Sequence, residues 1–407
     1  MPVLPNRAGA RNSILAGFLG WTLDAFDFFV IVFLYDALAH EFNVSKKAIV
    51  VTTAATLALR PVGALLFGLL ADRFGRRIPL MATIIYFSLI EMLCGFAPNY
   101  TVFLLLRALF GIGMGGEWGV GASLAMEAAP KRWRGILSGI LQGGYPMGYL
   151  LASVAARFVL PTLGWRWMFW IGVPPALLTL YICARVPESE AWQQHRAGSM
   201  MAVLRVVASH GRRFAYLVVL MTFMMFLSHG TQDLYPDFLK EVHKLGQSQV
   251  ANIAILYNCG AIVGAILFGA FSQRAGRRKG MLAALGLCLL IVPLWAFGRG
   301  VAAVLVAPVL LQMGVQGAWG VIPVHLNELA ADSARGLMPG LTYQLGILLA
   351  SPTNAVQYAL REKSGYGWAL AGFETVTILV LGLLLWRGAE AHGKSFVREH
   401  EADVAPT

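Results

Sequence analysis

"GALLFGLLADRFGRR", residues 63–77, returns 201 positions later as "GAILFGAFSQRAGRR", residues 264–278, with 9 of 15 residues identical. The same offset carries "GEWG" at 116–119 onto "GAWG" at 317–320, and Trp167 onto Trp368. It also carries Glu127, Arg134 and Gly135 onto Glu328, Arg335 and Gly336. Farther along, the register drifts to 198, where "GYLLAS" at 148–153 becomes "GILLAS" at 346–351. Chance likeness between apolar helices would not hold one register through charged loops. The chain therefore reads as two parallel repeats.

Each repeat is too apolar for water. Of 407 residues, 57% are hydrophobic and 13% charged, whereas a soluble domain carries roughly 25% charged residues. Apolar stretches of about 20 residues read as membrane spans. Twelve occur, near 14–38, 48–71, 78–97, 101–125, 135–160, 167–186, 214–238, 249–272, 280–298, 301–327, 336–360 and 367–387. The expected fold is an all-α membrane protein with twelve transmembrane helices in two pseudo-symmetric halves. The halves cover 1–190 and 214–390, joined by a linker at 191–213 with a short helix around Met200–Ser209, and a tail follows at 391–407. Pro146, Pro236 and Pro352 are expected at bends. Asp24 and Asp27 interrupt the first apolar run, which reads as a span and not a cleavable leader. Cys94, Cys183, Cys259 and Cys288 lie far apart in apolar runs and read as small buried side chains.

A net charge of +11 could suggest nucleic acid as a partner, but its distribution argues for topology instead. With both termini on one side, 21 of the 32 Lys and Arg collect on the terminal side and 9 on the other. Positive-inside asymmetry then puts both termini in the cytoplasm, here of a bacterial-type inner membrane. Only Arg60 and Arg107 fall at membrane depth. Parallel six-helix halves with a site between them describe an alternating-access transporter. No Walker loop and no Cys–His metal spacing is found, and "GIGMGG" at 111–116 lacks a preceding strand. These features weigh against an enzyme, ATP-driven transport and an organic or metal cofactor. The expected partners are a small organic anion, the bilayer and a coupling ion, proton or sodium, with the chain a monomer.

"GLLADRFGRR" at 68–77, "RALFGIGMG" at 107–115 and "PESEAW" at 187–192 together resemble the signatures of the major facilitator superfamily across nearly the whole chain. The cytoplasmic loops have a physical logic of their own. Gly68 permits close helix approach, and Asp72 can pair with arginines or cap a neighbouring helix end. In the second half Gln273 replaces Asp72, so the matching latch should be weaker. A gating role is expected for Asp72, Arg73, Arg76, Arg77, Arg274 and Arg277. Glu127, Arg134, Glu328 and Arg335, present in both repeats, read as architecture of the same gate; Arg107 is grouped with them, as either a structural or a proton-modulating arginine.

A charge at the bilayer centre costs roughly 2.5–3.5 kcal/mol on insertion scales, so each needs a partner or a purpose. Those present in one repeat only are the functional candidates. Asp24 and Asp27, three apart, share a helix face and can raise each other's proton affinity; the alternative is a pair with a neighbouring arginine. Arg60 lies some 12 residues, about 18 Å, into the second span, where its repeat counterpart is Ala261. Its guanidinium suits a substrate carboxylate, with a permanent salt bridge to Asp24 or Asp27 as the alternative. Glu117, opposite Ala318 in the repeat, is a further proton candidate. Glu91 reads as a local pair. His229 and Asp233, four apart with Gln232 alongside, could accept a proton and bind an anion, or could merely gate an outer vestibule. Gln142, Tyr145, Asn258, Gln344 and Asn354 are candidate cavity donors.

"SHGTQD" at 228–233 resembles the seventh-helix signature of yeast-type lactate and pyruvate permeases. "LDAFDFF" at 23–29, "RPVGA" at 60–64 and "GGEWGVGASLAMEAAP" at 115–130 resemble the larger sialate:proton symporter group. The resemblance implies inward symport of an organic anion with protons, and places His229, Gln232 and Asp233 on the substrate and coupling path. Its lean is toward a small monocarboxylate such as lactate or pyruvate, with sialic acid and then aromatic acids as alternatives. Met225 and Asp237 depart from the permease signature and are where substrate choice is expected. A drug/proton antiporter would show Gly-Pro-x-x-Gly in the fifth helix, where this chain has "GGYPMG" at 143–148. A non-transporting sensor is the remaining alternative.

Overall fold

The computed structural model describes residues 7–173 and 175–397, excluding the side chains of Arg7, Pro175 and Cys183. Among these residues every regular element is helical. Span 1 is Arg7–Glu41, span 2 Lys46–Phe74, span 3 Arg77–Cys94 and span 4 Tyr100–Ala128. Span 5 consists of Arg134–Gln142 and Gly144–Phe158, and span 6 of Trp165–Trp170 and Pro175–Arg185. Span 7 is Gly211–Glu241, span 8 Gln247–Ala275, span 9 Arg277–Phe297 and span 10 Ala302–Leu329. Span 11 is Met338–Ala350 followed by Thr353–Ser364, and span 12 is Tyr366–Arg387. Nine of these are long and apolar enough to cross a membrane by length and composition; spans 5, 6 and 11 are divided into shorter helices that fall outside that set.

Local chemistry sets the boundaries. Ser45 and Asn99 accept backbone N–H bonds from Ala48 and Val102 and start spans 2 and 4, as N-caps do. Gly75 and Gly276, equivalent in the repeat, have φ of 107° and 101°. Few L-residues tolerate that region, and it lets the chain turn from one span into the next within two residues. Span 7 breaks at Asp233–Leu234 before Pro236, and span 11 breaks at Ser351–Pro352, as the prolines foretell. Span 5 breaks at Gly143, just before Pro146. Several helices outrun their apolar stretches. Span 1 has 35 residues, about 52 Å of helix against a hydrocarbon core of about 30 Å, so its polar ends stand outside. The short linker helix occupies Met200–Ser209. Of the four cysteines, Cys94 and Cys288 are buried while Cys259 is exposed on span 8, which corrects the expectation that all are interior; the Cys183 side chain lies outside the described set.

Buried apolar side chains form two clusters. One draws only on residues 16–186. The other runs from Ala191 to Phe396 and takes in Trp21, Trp118, Ala122, Ala125, Met126 and Leu141 of the first half. Within the first half, spans 2 and 4 lie backbone to backbone. A Cβ on Gly63 would strike the Ile112 carbonyl, and one on Gly115 the Arg60 carbonyl. Between halves, contact is made toward the face that bears the first and last helix ends. Gly68 lies against Leu337, Gly119 against Gly340 and Gly135 against Gly269. Ser123 donates to the Arg335 carbonyl at 2.7 Å and Ser138 to that of Gly320 at 2.7 Å. The farthest hydrogen bond from that face joins Gln344 to the Gly115 carbonyl at 3.4 Å; among the described residues, none joins the halves beyond it. The hydrogen bonds between the halves thus gather toward the terminal face; toward the opposite face Asp233 of the second half is exposed beside Tyr145 of the first, which marks the cleft between them.

The span 2–span 4 contact carries a stability prediction. Gly115→Ala forces a methyl group against the Arg60 backbone, and overpacking of this kind costs about 1–3 kcal/mol. A thermal-shift measurement in detergent should show a melting temperature several degrees below the wild type, whereas Gly286→Ala, where a Cβ meets open space, should leave it unchanged.

Candidate functional site

Arg60 projects from span 2 at the floor of the cleft and is 3% exposed. The glycine contact just described fixes its backbone against span 4. Asp24 on span 1 and Glu117 on span 4 are fully buried. Asp24 counts Arg60 as its chief charged neighbour, and Glu117 has both Asp24 and Arg60. Gly20 makes room for this: a Cβ there would collide with Glu117 Oε1. Yet among the described residues Arg60 forms no salt bridge, its Nε and Nη2 have no hydrogen-bond partner, and neither do the carboxylate oxygens of Asp24, Asp27 and Glu117. The permanent Arg60–aspartate bridge weighed from the sequence is absent from this conformation.

The two aspartates diverge despite sharing a face. Both have Glu91 as a charged neighbour, but only Asp24 has Arg60, whereas Asp27 has Asp24 and Arg107 and abuts Gly172 of span 6. Glu91 and Arg107 form a buried ion pair at 2.8 Å, the local pair expected of Glu91. Arg107 stands seven residues, about 10 Å, from the outer end of span 4. It therefore lies apart from the gate at the terminal face, and its pair with Glu91 fits the structural alternative.

An aromatic wall closes around Arg60. Trp21 stacks on Tyr145 with ring centroids 5.4 Å apart, and Trp118 on Tyr343 at 4.2 Å. Trp319 meets Tyr343 edge-on at 5.8 Å. Tyr145 and Tyr343 both have Arg60 as their leading charged neighbour. Among the described residues the indole N–H groups of Trp21, Trp118 and Trp319 and the amide oxygens of Gln142 and Gln344 have no hydrogen-bond partner. The site thus offers one cation, several neutral donors, two amide acceptors and flat π-faces in one place.

The 228–233 group sits higher, at the cleft mouth. His229 Nδ1 lies 3.1 Å from Asp233 Oδ2, with side chains 41% and 31% exposed. Gln232 donates to Gln312 Oε1 at 3.2 Å, and Gln312 donates to Thr231 at 3.0 Å, tying the end of the span 7 helix to span 10. Asp233 is an electrostatic neighbour of Tyr145 across the cleft. Met225 is buried, and Asp237 accepts from Tyr358 at 2.9 Å on the outer rim; neither reaches the Arg60 site. Of the candidate donors, Asn258 bonds back to the Ala254 carbonyl of its own helix at 2.8 Å, and Asn354 is exposed on the outer segment of span 11.

At the terminal face the conserved-in-repeat charges cross between halves. Glu127 pairs with Arg76 at 3.0 Å and with Arg335 of the other half at 3.2 Å. Glu328 pairs with Arg277 at 2.9 Å and with Arg134 of the other half at 3.8 Å. Asp72 binds Arg76 and accepts from the backbone N–H groups of Gly336 and Leu337 at 2.7 and 3.0 Å, capping span 11. Gln273 accepts from the Gly135 N–H at 2.8 Å and donates to the Lys131 carbonyl at 2.9 Å across the interface, two neutral bonds where Asp72 offers a charged acceptor to both of its partners. Glu188 accepts the N–H groups of Arg76 and Arg77, and Glu390 those of Arg277 and Arg278. Arg73 donates to the Ala197 carbonyl in the linker at 3.4 Å. Arg274 is exposed, with no ion pair among the described residues, and so drops out of the gate.

The segment after span 12 completes this face. Phe396 is buried between the guanidinium groups of Arg134, 4.0 Å from its centroid, and Arg335, at 4.2 Å, one from each half. Lys394 pairs with Asp332 at 2.8 Å and Arg335 also contacts that carboxylate. Burial alone would raise the Asp332 pKa, but Lys394 and Arg335 hold it below the usual carboxylate range. No local sequence pattern announces the docking of this tail. The aromatic wall, by contrast, was half visible, because Trp118 and Trp319 are the equivalent tryptophans of "GEWG" and "GAWG".

The sequence pattern described as Major Facilitator Superfamily matches residues 17–352. The "Carboxylic acid transporter protein homolog" of Saccharomyces cerevisiae is 30% identical over 86% of this chain, which spans 61% of that protein's length. "Sialic acid transporter NanX" of Escherichia coli is 26% identical over 95% of each chain. Among solved structures, the proton:xylose symporter XylE bound to 6-bromo-6-deoxy-D-glucose shares the fold with a TM-score of 0.78, at 20% identity over 96% of this chain and 98% of that one.

The gate geometry predicts the effect of Asp72→Asn, which removes the charged acceptor from two span 11 amides. Hydrogen bonds to charged groups contribute about 1.5–3 kcal/mol, so the population open at the terminal face should rise by roughly ten- to a hundredfold. Distances between spin labels at Arg132→Cys and Lys279→Cys, with native cysteines replaced, should lengthen and broaden; an unchanged distribution would show that Asp72 does not hold the halves together.

Proposed function

The chain belongs to the major facilitator superfamily, and on that premise we propose that it carries an organic carboxylate into the cell together with protons, by alternating access. It is a multi-pass membrane transporter and not an enzyme. The observation that supports this reading most is Arg60, buried at the closed end of the cleft beside Asp24 and Glu117 with no salt bridge of its own. A guanidinium there can take a carboxylate through two parallel N–H bonds. The same point carries more negative than positive groups, so an arriving anion is repelled unless a neighbouring carboxylate is neutralised. Proton binding does that, and links the two movements. Asp24 is the better coupling candidate of the aspartates, because only Asp24 has Arg60 as a charged neighbour.

The lysine and arginine bias puts the terminal face in the cytoplasm of a cell membrane. The conformation described is then outward-open, its inner gate held by Asp72, Glu127 and Glu328. The 228–233 group lines the route from the mouth to Arg60. Its resemblance to lactate and pyruvate permeases favours a small monocarboxylate. The tryptophan and tyrosine wall favours a flat conjugated or aromatic acid, which can stack, over a heavily hydroxylated sugar acid, which would leave hydroxyls against ring faces. We place the aromatic acid first. A drug/proton antiporter is disfavoured by Arg60, which would repel a cationic drug.

Purified protein in liposomes, corrected for protein-free vesicles, should accumulate labelled benzoate or nicotinate above lactate, pyruvate or sialic acid when the outside is acidified. A protonophore should abolish the accumulation, and uptake indifferent to pH for all five would overturn symport. Arg60→Ala should weaken apparent affinity roughly ten- to a hundredfold, by analogy with losing a charged hydrogen bond. Asp24→Asn should still exchange substrate but lose gradient-driven accumulation.

A further inference from the structure

One buried carboxylate has no part in the site around Arg60. Glu374 lies within span 12, fully buried, and among the described residues neither oxygen has a hydrogen-bond partner. Spans 7, 9 and 11 pack against this helix. Span 7 presents the backbone of Gly230, where a Cβ would collide with Glu374 Oε1. Span 9 presents the Cys288 thiol, for which Glu374 is an electrostatic neighbour, but which donates to the Leu311 carbonyl at 3.6 Å. Span 11 presents Gln357, whose amide donates to the Gly230 carbonyl at 2.8 Å while its own oxygen has no partner. Among the described residues Glu374 forms no ion pair. An ionised carboxylate enclosed without donor or cation is costly, whereas the protonated acid can donate to a carbonyl such as that of Gln357.

The repeat gives this position a counterpart. An offset of 201 maps Asp27 onto Ser228 and Glu374 onto Val173. In the first half Asp27 of span 1 abuts Gly172 of span 6; in the second, Glu374 of span 12 abuts Gly230 of span 7. Each half therefore holds one unpartnered buried carboxylate at its equivalent helix pair, pressed on a glycine of the facing helix, with the roles of the two helices exchanged. In the second half that helix turn also carries His229, paired with Asp233 at the cleft mouth, and breaks two residues later.

We propose that Glu374 is a second proton-binding site, built wholly from residues of the second half, whose loading is sensed by span 7 through Gly230. The site binds a proton on the carboxylate when the cleft admits water along span 7 and releases it when the opposite face opens. The proposal rests on the proton-coupled reading above, and its test separates the two.

The proton-to-substrate ratio is measured in liposomes by balancing an outward benzoate gradient against an imposed pH gradient until net flux stops. Glu374→Gln, monodisperse on elution, should lower the ratio by one proton relative to wild type, a change that a packing role would not produce. A wild type with no pH-driven flux would overturn the coupling reading itself. A wild type that couples, with an unchanged ratio in Glu374→Gln, would overturn this proposal alone. Should the variant not fold, dicyclohexylcarbodiimide labelling of the wild type followed by peptide mapping decides. Modification at Glu374 that fades as pH rises supports the site, and no modification at any pH overturns it.

Discussion

A charge that leaves water for the interior of a membrane protein must be balanced by another charge or by a proton. The interior of this chain sorts its ionisable groups by how that balance is met. At the terminal face every buried arginine in the crossed network finds a carboxylate, and the carboxylates are shared between halves. In the outer part of the first half, Glu91 and Arg107 satisfy each other. Around Arg60 the balance is open: one cation faces Asp24 and Glu117, with no bond closed. The closed pairs hold a shape, and the open set can respond to what enters the cleft.

The two kinds of site are mechanically joined. Arg60 and Glu117 stand on spans 2 and 4, whose inner ends carry Asp72 and Glu127. Those helices are locked backbone to backbone by glycines, so a change at Arg60 reaches the gate through rigid rods. Across the interface, Tyr343 stacks on Trp118 while the start of the same span is capped by Asp72. A ligand that shifts Trp118 or Tyr343 therefore acts on the helix whose N-terminus the gate holds. Alternating access needs two such arrangements of nearly equal stability. The few ion pairs, the Phe396 contact and the Asp72 cap favour the one described here.

Much of this was legible in the sequence because repeats report on three-dimensional equivalence. The 63–77 and 264–278 stretches gave the halves, the gate and the asymmetry between Asp72 and Gln273. Comparing charges across repeats singled out Arg60, Asp24 and Glu117, which the fold brings together from three helices. What failed was direction around a helix. Asp24 and Asp27 share a face and the neighbour Glu91, yet only Asp24 has Arg60 beside it, and Asn354 is exposed on the outer segment of span 11. Arg107 and Arg274 were grouped by motif, yet one is too deep and the other too exposed to gate. Glu374 carried the signal used elsewhere, a lone charge in an apolar run. The docking of Phe396 between two arginines is a contact of long range with no local pattern to announce it.

The proposed coupling has one core: an anion reaches Arg60 only when a proton neutralises a nearby carboxylate. Isothermal titration of benzoate into the detergent-solubilised protein, repeated at one pH in buffers of different ionisation enthalpy, tests it without any membrane. The slope of observed heat against buffer enthalpy counts protons taken up on binding. The account predicts uptake of about one proton per bound benzoate, largely lost in Asp24→Asn. Binding with no dependence on buffer would contradict it.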